Sequence, residues 1–212
     1  MHIIHRGIIN KKYRENNLNS FRASFKRSFG IETDIHVTKD GEFVCHHDFT
    51  LKRIFKINKS IKNINYKELK KIKNKKIQIP LLKDVLKISK NKKTIFIEIK
   101  PLFKKKILKK LIYETKKFSN CIFISFKKNN IYNLLKLNKN INVGLSFSNL
   151  AKTKDIIKKS KNERIKYLIL DKKFLNNTIV NSINKEKFFY TIKNKNEFKK
   201  YKNQYNLIFE NL

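Results

Sequence analysis

Residues 30 to 48 read GIETDIHVTKDGEFVCHHD, and the period of this stretch decides the architecture. Glu32, Asp34 and His36 alternate with Ile31, Thr33, Ile35 and Val37, so a strand here carries acid and imidazole on one face and mostly β-branched residues on the other. A surface strand reads the same way, so alternation alone leaves that alternative open. Lys39, Asp40 and Gly41 then supply a turn, and the chain returns through Phe43, Val44 and Cys45 to His46, His47 and Asp48. A parallel crossover needs about a dozen residues or more, so the return is an excursion above the sheet and not a parallel neighbour.

Outward from this stretch, short β-branched or aromatic runs alternate with longer Lys-rich amphipathic ones. Strands are expected at His2 to Arg6, Gly30 to Val37, Thr94 to Ile99, Cys121 to Ser125, Asn142 to Ser146, Lys166 to Leu170, Phe188 to Ile192 and Leu207 to Phe209. Helices are expected at Asn17 to Ser28, Leu81 to Ser89, Phe103 to Lys117, Asn129 to Leu137, Asn149 to Lys159, Lys173 to Asn184 and Asn196 to Tyr201. Strands and helices in strict alternation argue for an α/β protein, a closed (β/α)8 TIM barrel. A doubly wound open sheet is the rival, disfavoured because no Gly-rich phosphate loop follows the first strand. The whole chain, 1–212, reads as one domain with a short basic insertion at residues 49–79, after strand two. Sequence beyond Phe209 is too short for an eighth helix, so the final helix is expected to be missing or truncated, leaving apolar faces of strands eight and one bare. The segment Ile8 to Tyr13, a neighbouring helix or a second subunit would fill that gap.

Lys and Arg number 52 against 16 Asp and Glu, a formal charge of +36. Lys, Asn and Ile, which AT-rich codons encode, are abundant together, while Gly (4), Pro (2) and Trp (0) are scarce. The lysines are spread along the chain and form no single arm or stripe, which argues for genome composition as the cause and against nucleic acid as the partner. The field still draws anionic substrates inward and suits peripheral contact with an anionic membrane. Cys45 and Cys121 lie in apolar strand-like runs without metal spacing, as free thiols of a reducing compartment do. The opening MHIIHRG lacks the basic start and apolar run of a signal peptide, and no stretch approaches the ~20 apolar residues of a membrane span. The expected location is cytoplasmic.

The polar residues fall at strand ends. His5 and Arg6 end strand one, Glu32 and Asp34 sit on strand two, and Glu98 and Lys100 end strand three in TIFIEIKP. In TIM barrels catalytic groups gather at that C-terminal rim. Three carboxylates on adjacent strands repel unless a cation sits among them, and an all-oxygen set suits one divalent hard ion, Mg2+ or Ca2+. His5 and His47 beside it are equipment for general acid and base work near neutral pH, and Arg6 and Lys100 add charge for a phosphate.

With these motifs in this order, the chain resembles the glycerophosphodiester phosphodiesterases: HRG at His5 to Gly7, EN and SFRASF between Glu15 and Phe25, GIETDIHVTKDG, VCHHDFTLKR, IPLLKDVL, IEIKP, and YTIKN near the end. The resemblance implies a (β/α) barrel with a small insertion after the second strand. It implies catalytic His5 and His47, divalent-metal carboxylates Glu32, Asp34 and Glu98, and phosphate contacts at Arg6 and Lys100. The implied activity is that of a phosphoric diester hydrolase, giving sn-glycerol 3-phosphate and an alcohol from a small anionic diester, with a role in lipid and glycerol metabolism. Tyr190 and Thr191 stand where the family usually has Trp-Thr, keeping an aromatic wall for the substrate. The closing Thr-Asp is replaced by Phe209, Glu210 and Asn211.

Around this set, Asp48 is expected to orient His47 or cap the next turn, and His36 either lines the pocket floor or packs behind it. Strand parity turns His46 away from His47, as a structural or solvent-facing group. Arg53 matches a family position and serves structure or substrate equally well, and Ser125 and Phe126 are expected at the pocket wall. Two other functions compete: a lysophospholipase D working at a membrane surface, and a barrel that binds polyanions without chemistry. The oligomer expected here would form through the bare strand eight and strand one side.

Overall fold

In the computed structural model, which describes residues 1–72 and 77–210, the strands in chain order are β1 (His2–His5), β2 (Gly30–Val37), β3 (Phe43–Cys45), β4 (Ile95–Ile99), β5 (Cys121–Ser125), β6 (Val143–Phe147), β7 (Tyr167–Asp171), β8 (Glu186–Ile192) and β9 (Asn206–Phe209). All but β3 pair in parallel, running from β1 through β2 and β4 to β9, and the β9–β1 pairing closes the ring. The expected barrel is therefore what the chain forms. β3 pairs antiparallel with the last turn of β2, matching Ile35 to Cys45 and Val37 to Phe43, so the hairpin rises from the C-terminal end of that strand.

Period two explains the layers. Inward-facing Ile3, Phe96, Ile122, Ile124, Ile169, Phe188 and Ile208 fill the lumen, with the Phe96 and Phe188 rings meeting edge to face at 4.7 Å. Outward-facing Ile4, Ile31, Ile97, Phe123, Leu145, Leu168 and Phe189 pack under the helices in a larger cluster. Burial of each such side chain contributes about 2 kcal/mol.

Six helices of the outer layer lie close to their expected places: α1 (Leu18–Lys26), α4 (Leu82–Ser89), α5 (Lys105–Thr115), α6 (Lys128–Leu137), α7 (Thr153–Ser160) and α9 (Lys195–Tyr201). The continuous helix expected from Lys173 to Asn184 is not one element. A 3-10 turn, Lys172–Phe174, is followed by the separate α8 (Thr178–Asn181). Two caps in succession break it, for Asp171 accepts from the Lys173 amide and Asn177 from the Val180 amide, each starting its own turn.

The insertion holds α2 (Lys52–Phe55), a 3-10 turn at Ile61–Asn63 and α3 (Tyr66–Lys71), and residues 73–76 lie outside the description. It has a core of its own in Val44, Leu51, Phe55, Ile61, Ile64, Leu69, Ile79 and Leu81. Its described residues therefore pack on a buried cluster separate from the barrel's.

The β9 and β1 outer face is partly covered. Phe209 meets Phe198 of α9 at 4.7 Å and Phe29 at 5.2 Å, and Ile8 packs on the same cluster. A groove of about 760 Å³ remains between Ile4, Ile8, Ile9, Phe29, Phe198 and Phe209. The expectation of a missing or truncated final helix falls on residues 211–212, outside the described residues. Among the described residues no helix is long and apolar enough to cross a membrane.

Candidate active site

Parallel register brings the acids together. His5 lies beside Glu32, and one pleat further along β2 Asp34 lies beside Glu98 of β4. One carboxylate oxygen from each of Glu32, Asp34 and Glu98 lies within 4.8 Å of the other two, with Glu32 and Asp34 buried. Three acids so close cannot all stay ionised unaided. Burial, then Asp34 and Glu98, push the Glu32 carboxyl well above the usual range; burial and then Asp34 push Glu98 up to about 7. Burial works the same way on Asp34, but Arg6 and then Lys100 outweigh it and hold Asp34 far below the ordinary value.

The two cations are aimed by backbone geometry. Arg6 (φ 55) and Gly7 (φ 75) are both left-handed, so the chain turns sharply at the end of β1 and swings the guanidinium over β2. A Cβ on Gly7 would stand 2.2 Å from Ser20 Oγ and 2.9 Å from Phe21, so glycine is required there. Arg6 Nε then lies 3.2 Å from Asp34 Oδ2. Lys100 Nζ reaches Glu98 at 2.9 Å and Asp34 Oδ1 at 3.4 Å. Both Asp34 contacts are ion pairs by distance only, since neither Arg6 Nε nor Asp34 Oδ1 finds hydrogen-bonding geometry; Glu32 Oε1 also has no hydrogen-bond partner among the described residues. Buried carboxylate oxygens without donors are costly by about 1–3 kcal/mol each, and a hard cation at their focus would satisfy them. The donor set and its vacant lone pairs therefore fit a divalent ion.

Each histidine flanking the cluster has a carboxylate on Nδ1. His5 Nδ1 lies 2.9 Å from Glu210 Oε2, while its Nε2 points toward Glu32 Oε2 at 3.8 Å. His47 Nδ1 lies 2.7 Å from Asp48 Oδ1, and Asp48 Oδ2 is held by Arg53 Nε at 2.6 Å. Both imidazoles favour the ionised form of Asp34. Burial lowers the His47 pKa, favouring the neutral ring. Arg53 also forks onto Glu15, at 2.5 and 3.1 Å, tying the insertion to the loop after β1.

The remaining expected residues divide. His36 is buried, lies on Phe49 edge to face and donates from Nε2 to the His47 carbonyl at 3.2 Å, with burial lowering its pKa to about 4. It holds the His47 backbone from behind. His46 is buried against Phe55 and donates to the Thr50 carbonyl. Tyr190 stands at the rim, its hydroxyl donating to the Phe147 carbonyl at 3.0 Å and its ring against Phe126 at 6.0 Å. Thr191 is half-buried in the stretch of β8 where pairing is irregular. Ser125 is a correction: it does not line the pocket. In β5 the inward phase belongs to Ile122 and Ile124, so Ser125 faces α6, where its hydroxyl donates to the Ile99 carbonyl and accepts from Asn130.

Residue-by-residue reading missed two groups. Asn16, buried and left-handed (φ 49), donates to Asp34 Oδ2 and accepts from Thr33, so it fixes the Asp34 carboxylate; its signal was the EN pair after HRG. Glu210 stands out in the sequence only as part of the departure from a closing Thr-Asp. A cleft of about 810 Å³, lined by Lys11, Lys12, Arg14, Glu15 and Arg53 among others, opens beside the site between the loop after β1 and the insertion.

Residues 5–199 match the sequence profile described as the Glycerophosphoryl diester phosphodiesterase family. No curated protein matches the chain. Among solved structures it is similar to a glycerophosphodiester phosphodiesterase from Thermotoga maritima, at 25% identity and TM-score 0.79, covering 98% of this chain and 93% of that one. An Oleispira antarctica phosphodiesterase in complex with the product sn-glycerol-3-phosphate shares 18% identity and the fold, at TM-score 0.85, covering 98% and 91%. A putative glycerophosphoryl diester phosphodiesterase from Agrobacterium tumefaciens aligns at TM-score 0.86 with 17% identity, covering 98% and 92%.

Proposed function

The chain belongs to the glycerophosphoryl diester phosphodiesterase family and is a phosphodiesterase, and on that premise we propose that it hydrolyses small soluble glycerophosphodiesters to sn-glycerol 3-phosphate and an alcohol. The observation that carries this reading is the clustering of Glu32, Asp34 and Glu98, the first two buried, together with two histidines whose Nδ1 atoms are both already taken. Each ring is left with Nε2 for the substrate.

Glu32, Asp34 and Glu98 would hold one Mg2+ or Ca2+, which when bound supplies positive charge to the phosphate oxygens as negative charge develops. Arg6 and Lys100, both beside Asp34, bind the same phosphate from the side. One histidine Nε2 takes the proton of the neighbouring glycerol hydroxyl as that oxygen bonds to phosphorus, and the other, protonated beforehand, gives its proton to the alkoxide whose P–O bond breaks; water then opens the cyclic phosphate with the two roles exchanged, which returns both histidines to their starting states. Asp48 keeps the His47 ring in one orientation, and the neutral His36 keeps its backbone in place. Tyr190 and Phe126 give an aromatic wall at the rim, and the cleft beside Arg53 and Glu15 is the space on the alcohol side.

Phosphorus NMR of glycerophosphoethanolamine, glycerophosphoglycerol and glycerophosphocholine tests the reading directly. The diester resonance should give way to a phosphomonoester that glycerol 3-phosphate dehydrogenase consumes. Persistence of all three diesters with folded protein and divalent cation would overturn it.

A further inference from the structure

We propose that Glu210 is the positioning residue for His5: its carboxylate takes the Nδ1 proton and so leaves the Nε2 lone pair facing the acid cluster. The inference rests on the diesterase reading for its kinetic consequence, but not for its geometry.

Period two along β9 puts Ile208 and then Glu210 on the inner face, and the register pairing Ile3 with Ile208 carries His5 to the level of Glu210. The two side chains meet at 2.9 Å, Nδ1 to Oε2. Glu210 is itself pinned: Oε1 lies 3.1 Å from Lys193 Nζ, and its amide donates to the Ile192 carbonyl at 2.9 Å. Its side chain is only 12% exposed, so water competes little for the bond. With Lys193 on one oxygen, Glu210 is a carboxylate that can only accept with the other, so Nδ1 is the donor, and that bond in turn lowers the Glu210 pKa to about 2.

The second histidine shows the same construction built from different elements. Asp48 accepts from His47 Nδ1 with one oxygen and is held on the other by Arg53. In both pairs a cation fixes a carboxylate, the carboxylate fixes a ring, and the ring offers Nε2. A surface ion pair between Lys193 and Glu210 would need no such ring. Two unrelated loops arriving at one arrangement indicate that the arrangement serves both imidazoles.

The test uses the full chain in chelator for the tautomer and with Mg2+ for kinetics. Nitrogen-15 NMR of the His5 ring, recorded at a pH high enough for the ring to be neutral, should show a protonated Nδ1 and a bare Nε2 in the wild type. Glu210→Ala should shift the neutral ring toward the Nε2–H form. Glu210→Gln, whose oxygen is kept on Lys193 Nζ so that its amide NH2 faces and donates to Nδ1, should do the same and stands in if the alanine variant does not fold. Both should lower kcat by about 10²-fold or more with KM little changed. Glu210→Asp should recover part of that loss, and Lys193→Ala should leave the tautomer in place. An unchanged His5 tautomer in Glu210→Gln overturns the proposal whether or not the protein turns over diesters. Active wild type with an equally active Glu210→Gln variant overturns it while leaving the diesterase reading intact.

Discussion

Replacing Glu98 by Gln should make the cation-free protein more stable, and the gain should depend on pH in a way that follows from burial. Folding raises the Glu98 carboxyl from 4.5 to about 7, chiefly through burial and the Asp34 charge. The native state therefore holds this proton more tightly than the unfolded chain does. That advantage is whole below pH 4.5 and is lost as pH rises through 7, so at pH 8 the ionised group is a liability. The gap between 4.5 and about 7, at ~1.4 kcal/mol per pH unit, gives a penalty on the order of 3 kcal/mol. Gln carries no charge, and the shift already includes the loss of the 2.9 Å ion pair with Lys100. Urea unfolding in chelator should place Glu98→Gln above wild type by up to about 3 kcal/mol at pH 8, with little difference near pH 4.5. Mg2+ should then stabilise wild type far more than the variant. A variant less stable than wild type at pH 8, or an equal gain at both pH values, would refute the reasoning.

Other consequences follow from the same geometry. Because Glu98, raised to about 7, must shed its proton to meet a cation, uptake of Mg2+ at pH 6.5 should release more protons than at pH 9, as titration calorimetry in buffers of different ionisation heat will show. Phe96→Ala removes a fully buried ring from the lumen and should cost about 3–5 kcal/mol in chemical denaturation. Gly144→Ala should cost about 1–3 kcal/mol in the same assay, because the new methyl would lie 2.8 Å from Tyr167 Cβ and 2.9 Å from its carbonyl oxygen.

The barrel was legible because strands buried on both faces must alternate with helices that cover them, and each expected strand is found within two residues of its place. The acid and imidazole face of β2 was legible for the opposite reason, since period two placed charge where a lumen should be apolar. Ser125 shows the limit: its position at a strand end suggested the pocket, but inward phase in β5 runs through Ile122 and Ile124 and excludes it. The helices of the insertion, α2 and α3, are short and have no strong period, and their burial against Val44 and Leu81 arises only from tertiary packing. Glu210 was readable as a residue but not as a partner. Its meeting with His5 depends on β9 closing the ring onto β1, which no local pattern states.

The most direct test of the central claim is release of glycerol 3-phosphate from glycerophosphodiesters by wild type and by His47→Ala, each with Mg2+, with Ca2+ and with chelator. The account predicts release by wild type with a divalent cation, and a fall of about 10²-fold or more on adding chelator or on substituting His47. Release that survives both changes, or none from folded wild type with either cation, would contradict it.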